Sequence, residues 1–380
     1  MAERRRAPGE GALYQRADGK WEASLHVGYA PDGKRVRRKA VARTKKEAGE
    51  RLAALRRDAE SGLEPEAARW TVADWLERWL ETESKPSVRP RTHLMYQAAV
   101  RNHLIPALGR HPLRSLTATH VKAYMGVKAE AGLAPQTIRN QHATLRRALA
   151  IAVRYGYVEK NVAGLVSPPK VRRDEVNPLR PDEVRQFLGA AHGHQQETLF
   201  VLAASTGMRL AEVLGVTWGS VDLGAGTVRV EQTLVRYERE FHLDPPKTRQ
   251  SKRTIAIPGH VVEALRAHRV RQVEDKLKAP LWVNDWDLVF TDEVGRPVES
   301  RGLHDEFVGL LDRAKVRRVR FHDLRHGAAT YLLAQGVPMK VVQDVLGHSQ
   351  ISMTADLYSH VVPELRRDAA DRMGDVLFGS

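Results

Sequence analysis

The pattern of apolar and polar positions over residues 11–43 is that of short strands separated by turns. The tripeptides "ADG" and "PDG" divide this stretch into three runs, which predicts three strands joined by two hairpins. A helix is predicted directly afterwards in "TKKEAGERLAALRRDAE", because Thr44 and Glu47 have the spacing of a capping box. A small three-stranded sheet followed by one helix is therefore expected for residues 1–65.

The pattern changes to helical periodicity between Trp70 and Gly164, where no convincing strand is found. Proline and glycine residues divide this region into four predicted helices, near residues 71–83, 90–105, 117–131 and 135–155. Four large apolar residues of the first helix recur at the spacing of a buried helix face: Trp75, Leu76, Trp79 and Leu80. These side chains are expected to pack in a core rather than to stack on bases, and residues 66–165 are interpreted as a helical domain.

A proline-rich stretch with charges of both signs, residues 166–180, has the composition of an extended linker. Helix-like segments follow it, Gly207 breaks the chain before a helix predicted in "MRLAEVLGVTW", and strand-like runs occur at 227–235 and 253–257. Residues 181–380 are therefore expected to form a mixed, mostly α-helical domain with a small antiparallel sheet. The predicted fold class is α+β, with several domains.

The net charge of +15 is unevenly distributed along the chain. Residues 1–65 contain 16 Lys and Arg against 10 Asp and Glu, residues 66–170 contain 16 against 7, and residues 171–380 contain 29 against 29. The excesses of 6, 9 and 0 account for the whole net charge. A generally basic protein would spread its charge evenly, so this distribution favours a polyanion such as DNA as the partner of the first 170 residues.

Two groups of basic residues are candidates for contact with DNA. Eight basic and no acidic residues lie between positions 34 and 46, and five of them fall on or beside the third predicted strand: Lys34, Arg35, Arg37, Arg38 and Lys39. A second group recurs along the fourth predicted helix: Arg139, Arg146, Arg147 and Arg154. A solvated charged face is the competing explanation in both places, and for the helix it is as plausible as phosphate contact.

The composition excludes several kinds of chemistry. The chain contains no cysteine, so disulfides, thiolate zinc sites and cysteine nucleophiles are excluded and a reducing cytoplasm is the expected location. No stretch is apolar enough to span a membrane, and the basic N-terminus lacks the apolar run of a signal peptide. The "HGH" at 192–194 has no third ligand near it in the sequence, so it is not expected to bind a metal. No other cofactor is expected either.

Five polar stretches of the last 210 residues carry candidate chemistry: "TGMRLAEVLGVTW", "PPKTRQSKRTIAIP", "FHDLRHGAAT", "LGHSQ" and "TADLYSH". In the third stretch, His322 and Arg325 are three positions apart, so a helix would place both on one face. Lys247 precedes a turn between the two strand-like runs, which predicts a position at a hairpin tip. Two arginines, two histidines, a lysine and a late tyrosine together are what phosphoryl transfer to a tyrosine requires.

In their order and spacing these stretches resemble the motifs of tyrosine recombinases of the phage integrase family, and the resemblance covers nearly the full length. It implies an arm-binding module, a helical core-binding domain and a catalytic domain, in that order. By this resemblance Arg209 and Arg325 clamp the scissile phosphate, while His322 and His348 assist with hydrogen bonds and proton handling. Tyr358 attacks the phosphorus and holds the DNA as a 3′-phosphotyrosine.

The resemblance also implies supporting roles for three further residues. Lys247 would protonate the departing 5′ oxygen, although Lys252 and Arg253 could fill that role from the same predicted hairpin. Glu212 and Asp323 would position the catalytic groups, and an ordinary helix ion pair would also explain Glu212.

The function that this resemblance implies is site-specific recombination of DNA. The basic N-terminal module favours an integrase of a phage or integrative element over a chromosome-dimer resolvase. A type IB topoisomerase-like enzyme that nicks and reseals DNA, and a non-catalytic DNA-binding regulator, are less favoured functions. The implied partners are double-stranded DNA with core and arm attachment sites, a homotetramer assembled on it, and a directionality factor or host DNA-bending protein.

Overall fold

The fold is described from a computed structural model that covers residues 11–29, 33–60, 66–171, 177–348, 350–351, 371 and 373–379. The chain divides into two compact units, residues 1–173 and 174–380. The boundary between the units falls inside the predicted linker. The further division of the first unit at residue 65 and the exact domain limits stay predictions.

The N-terminal sheet has the predicted three strands: β1 (Ala12–Gln15), β2 (Trp21–Tyr29) and β3 (Arg35–Ala42). They pair antiparallel in sequence order. The helix α1 (Lys45–Glu60) follows at once, and the Glu47 backbone N–H donates to the hydroxyl of Thr44 over 3.2 Å, as the predicted cap requires. Ala23 and Leu25 of β2 pack on Leu52 of α1 and form a small core of their own.

The remainder of the first unit is helical, as predicted. Its helices are α2 (Val72–Trp79), α3 (Lys85–Ser87), α4 (Pro90–Ala99), α5 (Ile105–Leu108), α6 (Ala118–Glu130) and α7 (Pro135–Arg154). Two π-helical turns, Leu80–Ser84 and Val100–Leu104, connect α2 to α3 and α4 to α5. Trp75 and Trp79 lie in the core of this region together with Leu76 and Leu80, which confirms that they pack rather than stack on bases.

The second unit is mixed and mostly helical. Its helices are α8 (Pro181–Ala190), α9 (Glu197–Thr206), α10 (Leu210–Leu214), α11 (Gly259–Lys278), α12 (Ser300–Arg313), α13 (Phe321–Ala334) and α14 (Met339–Leu346). Its strands are β4 (Val221–Asp222), β5 (Thr227–Val230), β6 (Thr233–Tyr237), β7 (Glu240–Asp244) and β8 (Arg253–Ala256). Phe187, Phe200 and Phe307 pack edge to face or tilted at the centre of its core.

The strands of the second unit differ from the prediction. The run 227–235 is not one strand, because it is divided between β5, which pairs with β4 and β8, and β6, whose partner among the described strands is β7. The tip of the β6–β7 hairpin is formed by Glu238 and Arg239, both in the left-handed region with φ of 53° and 68°. The expected hairpin position of Lys247 is therefore wrong, since this residue lies between β7 and β8 on the connection out of the hairpin.

The helix predicted in "MRLAEVLGVTW" is also shorter than expected, because α10 ends at Leu214. Gly215 follows and packs directly on the backbone of Thr233, where a β-carbon would approach the Cα atom to 2.9 Å. In the part of the chain that the structure describes, no helix is long and apolar enough to cross a membrane.

Candidate active site

Arg209 stands at the junction between α9 and α10. Gly207 ends α9 in the left-handed region with φ of 63°, and a β-carbon there would approach Leu346 to 2.6 Å, so the turn requires glycine. Arg209 is the N-cap of α10, where its backbone N–H donates to Oε2 of Glu212 over 2.9 Å and its Nη1 donates to Oε1 over 2.6 Å. The predicted pair is therefore both a helix cap and an ion pair.

Glu212 is a buried carboxylate held between two arginines. Its side chain is 2% exposed, and its Oε2 also accepts a hydrogen bond from Nη2 of Arg253 over 3.0 Å. Burial by itself would raise the pKa of Glu212, but Arg253 and Arg209 more than offset that effect and hold the pKa below its ordinary value. Glu212 is consequently ionised at neutral pH and orients both guanidinium groups.

Arg325 lies on α13, as predicted, and is almost completely buried. Its Nη1 donates to the carbonyl of Gly207 and its Nη2 to the carbonyl of Leu346, both over 2.7 Å. Burial lowers the pKa of the Arg325 guanidinium to about 9, with Arg209 contributing to the decrease, so the group is charged at neutral pH. It therefore connects the end of α9 to the end of α14 and adds a positive charge beside Arg209.

His322 lies on the exposed side of α13, one turn before a second histidine, His326. The two rings meet edge to face with centroids 4.8 Å apart. Although His322 keeps one side open to solvent, burial of its other side lowers its pKa to about 4, and His326 and Arg325 contribute. His322 is therefore neutral at pH 7 in the absence of DNA and can accept as well as donate a proton.

His348 follows the end of α14. Gly347 ends that helix in the left-handed region with φ of 66°, and His348 is buried directly after it, with its backbone N–H donating to the carbonyl of Gln343 over 3.1 Å. Burial lowers the pKa of His348 to about 3, with Arg325 and Arg209 contributing. The two arginines and both histidines predicted from the sequence thus influence one another electrostatically in one place.

Three arginines bind the last carbonyls of α14. Val345 accepts from Nε of Arg253 over 2.6 Å, Leu346 accepts from Arg325, and Gly347 accepts from Nη2 of Arg209 over 3.3 Å. The carbonyls at a helix C-terminus have no partner inside the helix and form its negative end, so cationic donors are favoured there. The end of α14, and with it the position of His348, is fixed by the same arginines that surround Glu212.

The remaining predicted residues lie at the edge of this cluster or outside it. Lys247 and Lys252 are exposed on the connection between β7 and β8. Asp323 caps α13 by accepting from the backbone N–H and the Nη2 of Arg320, both over 2.8 Å. Tyr358 lies outside the residues that the structure describes, and its role as nucleophile stays a prediction.

The basic residues of β3 are divided between the two faces of the sheet. Arg35, Arg37 and Lys39 alternate on one face and are exposed, whereas Arg38 pairs with Leu25 on the face that packs on α1 and is half-buried. Lys39 contacts Glu22 over 3.0 Å, so part of its charge is neutralised. Lys34 is exposed just before the strand. A DNA duplex on one face of the sheet would therefore meet fewer of these positive charges than the sequence suggests.

The basic residues of α7 point away from the helical core. Arg139, Arg146, Arg147 and Arg154 are all exposed, and the guanidinium of Arg147 lies 5.8 Å from the ring centroid of Tyr96. Their exposure is compatible with phosphate contact and with simple solvation.

Sequence reasoning considered Arg253 only as a substitute for Lys247 and missed its place in the cluster. A signal was available, because Arg253 alternates with Ile255 and Ile257, whose side chains are buried, and therefore faces the core side of its strand. A buried arginine requires an acidic partner. His326 was also missed, although it stands one helical turn after His322. Among the described residues, no three His, Cys, Asp or Glu side chains are arranged to hold a metal ion.

Comparisons with known proteins agree over both units. The family model described as "Phage integrase family" matches residues 177–364, and the model "Phage integrase, N-terminal SAM-like domain" matches residues 71–125. A protein of Streptomyces ambofaciens named "Integrase" is 31% identical over 372 residues, which is 93% of this chain and 93% of that protein.

Solved structures of other integrases share the fold. A Tn1549 transposon integrase in complex with a circular intermediate DNA has a TM-score of 0.69 at 23% identity, covering 80% of this chain and 99% of that one. A lambda integrase in a tetramer bound to a Holliday junction has a TM-score of 0.57 at 19% identity, covering 93% and 96% respectively.

Proposed function

This chain belongs to the phage integrase family and is a tyrosine recombinase for site-specific DNA recombination, and we propose that Tyr358 is its nucleophile. The observation that carries the proposal is the convergence of Arg209 and Arg325 on the end of α14, immediately before His348. That helix leads toward Tyr358 in sequence. This convergence supports the proposal, because the predicted phosphate-binding groups hold the helix that precedes Tyr358 in the sequence.

The proposed reaction is a transfer of one phosphodiester bond to tyrosine and back. The phenolic oxygen of Tyr358 forms a bond to phosphorus while the bond from phosphorus to the 5′ oxygen breaks. Lys247 gives a proton to that oxygen, and the phenol loses its proton to a neutral histidine, His322 or His348. A 5′ hydroxyl of the partner strand then attacks the phosphotyrosine and gives its proton to Lys247, while the histidine returns its proton to the departing oxygen of Tyr358, so one phosphodiester bond replaces another.

Arg209 and Arg325 supply the positive charge that this reaction needs. Negative charge grows on the non-bridging phosphate oxygens in the transition state, and fixed donors in a site of low polarity stabilise it strongly. Both guanidinium groups are already held in place by Glu212 and by carbonyls of Gly207, Leu346 and Gly347. We therefore expect catalysis without a metal ion or another cofactor.

We propose an integrase of a phage or integrative element rather than a chromosome-dimer resolvase, and the exposed basic face of β3 supports this subtype. The face would contact arm-type sites, while the helical region and the second unit would enclose the core site. A topoisomerase-like function is not favoured, because the relatives that match most of the chain are integrases and recombinases.

The proposed partner is double-stranded DNA, on which four copies of the chain would assemble. A lambda integrase of similar fold forms a tetramer bound to a Holliday junction. Met373, Val376, Leu377 and Phe378 are exposed near the C-terminus, which supports apolar packing between copies. A directionality factor or host DNA-bending protein would select the direction of the reaction. The cysteine-free composition supports action in the cytoplasm.

A covalent-complex assay tests the proposed nucleophile. Wild-type protein and a Tyr358→Phe variant are incubated with a nicked suicide substrate and separated on a denaturing gel. The variant is expected to bind the duplex with wild-type affinity and to give no covalent band, because only the nucleophilic oxygen is removed. Tyr331→Phe serves as the control for loss of a tyrosine hydroxyl in the same unit. A covalent band of wild-type intensity from Tyr358→Phe would assign the nucleophile to another residue.

A further inference from the structure

Arg253 is placed in the cluster by three hydrogen bonds that leave it little freedom. Besides Glu212 and the carbonyl of Val345, it donates from Nη1 to the carbonyl of Ser251 over 3.0 Å. Its side chain is 7% exposed. A guanidinium group also retains its proton under all ordinary conditions and is a poor general acid. Arg253 is therefore suited to hold other groups rather than to donate a proton to DNA.

The two oxygens of Glu212 are shared unequally between the arginines. Oε1 accepts from the guanidinium of Arg209, whereas Oε2 accepts from Arg253 and from the backbone N–H of Arg209. A carboxylate with both oxygens open can bind a guanidinium side-on through two parallel hydrogen bonds. Because Arg253 occupies Oε2, the guanidinium of Arg209 is held by Oε1 alone, and its other N–H groups are not drawn onto Glu212.

Arg253 also fixes the turn from which His348 follows. Gly347 packs on its guanidinium, where a β-carbon would approach Nη1 to 2.9 Å. The bond from Arg253 to Val345 holds the same end of α14 that Arg209 and Arg325 contact. Strand β8, Glu212 and the end of α14 are thus connected through one side chain.

We propose that Arg253 is a positioning residue of this active site, which restricts Arg209 to one oxygen of Glu212 and so keeps its remaining donors available for the scissile phosphate. This inference rests on the proposed function, in which Arg209 binds that phosphate. Removal of Arg253 takes the guanidinium donor from Oε2 of Glu212, and this buried oxygen keeps the backbone N–H of Arg209 as its remaining hydrogen bond. Arg209 then turns onto the carboxylate and away from the DNA.

The first experiment separates cleavage from binding in Arg253→Met and Arg253→Lys, the second of which keeps the charge. Single-turnover cleavage of a suicide substrate and the Kd for the same duplex are measured for both variants, with thermal unfolding as the check of folding. We expect cleavage to slow by about 10-fold to 100-fold, the range found when a residue that orients a metal ligand is removed, while Kd changes less than about threefold. Arg229→Met, an exposed arginine on the neighbouring strand β5, is the matched control and should cleave at the wild-type rate.

The second experiment asks whether Arg253 acts through Glu212. The rate effect of Arg253→Met is measured again in a Glu212→Gln background, where no carboxylate remains to capture Arg209. We expect the effect to shrink to less than about threefold, since residues that share one partner are not additive. Wild-type cleavage by a folded Arg253→Met protein, or an equal effect in both backgrounds, would overturn the proposal while Tyr358-dependent cleavage, and with it the proposed function, stands. Absence of Tyr358-dependent cleavage in the wild-type background would overturn both.

Discussion

Basic residues are used in opposite ways on strand β3 and around the end of α14. On β3, Arg35 and Arg37 are exposed, and they belong to the first 170 residues, which carry the whole net charge. Around α14, Arg253 and Arg325 are nearly buried and hydrogen-bonded, in a segment whose 29 basic residues equal its 29 acidic ones. One region has an excess of charge with little fixed geometry, and the other has fixed geometry with no excess of charge.

Under the proposed function, affinity for DNA and chemistry on DNA make different demands on an arginine. Exposed charges attract a polyanion at long range, and salt screens that attraction. Buried donors act over a few ångströms, and their value depends on where each N–H group points. Salt should therefore change what β3 contributes far more than what the arginines around α14 contribute.

The largest effect is expected for Lys247, because it is exposed like the residues of β3 but is proposed to act in catalysis as the general acid. Lys247→Met is expected to slow cleavage by about 10²-fold to 10⁴-fold, the range for loss of a general acid, and Lys252→Met by less than about threefold. A substrate with a 5′-bridging sulfur has a leaving group that needs no proton, so it should restore cleavage by Lys247→Met. If the sulfur substrate restores cleavage by Lys252→Met and not by Lys247→Met, or restores it in neither variant, Lys247 is not the general acid.

Arg325 should behave as a buried catalytic donor rather than as an excess charge. Arg325→Met is expected to slow cleavage by about 10²-fold to 10³-fold, because one donor to the developing phosphate charge is lost. The slope of binding against salt concentration should stay close to that of Arg318→Met, an exposed arginine paired with Asp312 that serves as control. A large decrease in salt slope with an unchanged cleavage rate would contradict the division between the two regions.

The sequence predicted the elements whose signals are local. The hairpins of residues 11–43, the cap at Thr44 and the four helices with Trp75 and Trp79 in their core all follow from turn residues and periodicity. The placement of His322 and Arg325 on one helix also followed from their spacing. These features need no information about distant parts of the chain.

The parts that sequence reasoning missed depend on contacts across the second unit. β7 alternates Phe241 and Leu243 with polar residues and so carried a local strand signal that was missed, but this signal did not show that β6 and β7 form a sheet separate from β5 and β8. The role of Arg253 depends on Glu212 and Val345, which are 41 and 92 positions away. These groups come together only in the folded chain. The local pattern shows which side of its strand Arg253 faces, because Arg253 alternates with Ile255, but it does not show the partners of Arg253.

The charge of β3 can be tested by comparing its two faces. Arg35→Gln with Arg37→Gln should lower the slope of log K against log salt for arm-site DNA by about 1.8, since each lost phosphate contact contributes about 0.9. Arg38→Gln, on the opposite face of the same strand, should leave the slope unchanged. Deletion of residues 1–65 should abolish arm-site affinity while cleavage of an isolated core site persists. Arm-site affinity that survives the deletion would show that β3 is only a solvated face.

The smallest expected effect is the pH dependence of stability that the buried histidine next to α14 produces. Because the pKa of His348 is lowered to about 3, the unfolded chain binds the proton more tightly, so stability is complete above pH 6.5 and decreases as the pH falls below it. At pH 5 this amounts to at most about 2 kcal/mol from His348, or a decrease of about 4 °C in Tm. His348→Gln should make the Tm profile between pH 7 and 5 less steep but not flat, because His322, with a pKa of about 4, still contributes there, whereas His304→Gln, an exposed control on α12, should leave it unchanged. The buried carboxylates with lowered pKa values, Glu212 and Asp323, lose their stabilising charge only at lower pH, so a decrease that begins near pH 6.5 distinguishes the histidine from them. An unchanged profile in His348→Gln would mean that His348 is accommodated with its proton, and that the arginines around α14 fix the position of the histidine without controlling its charge.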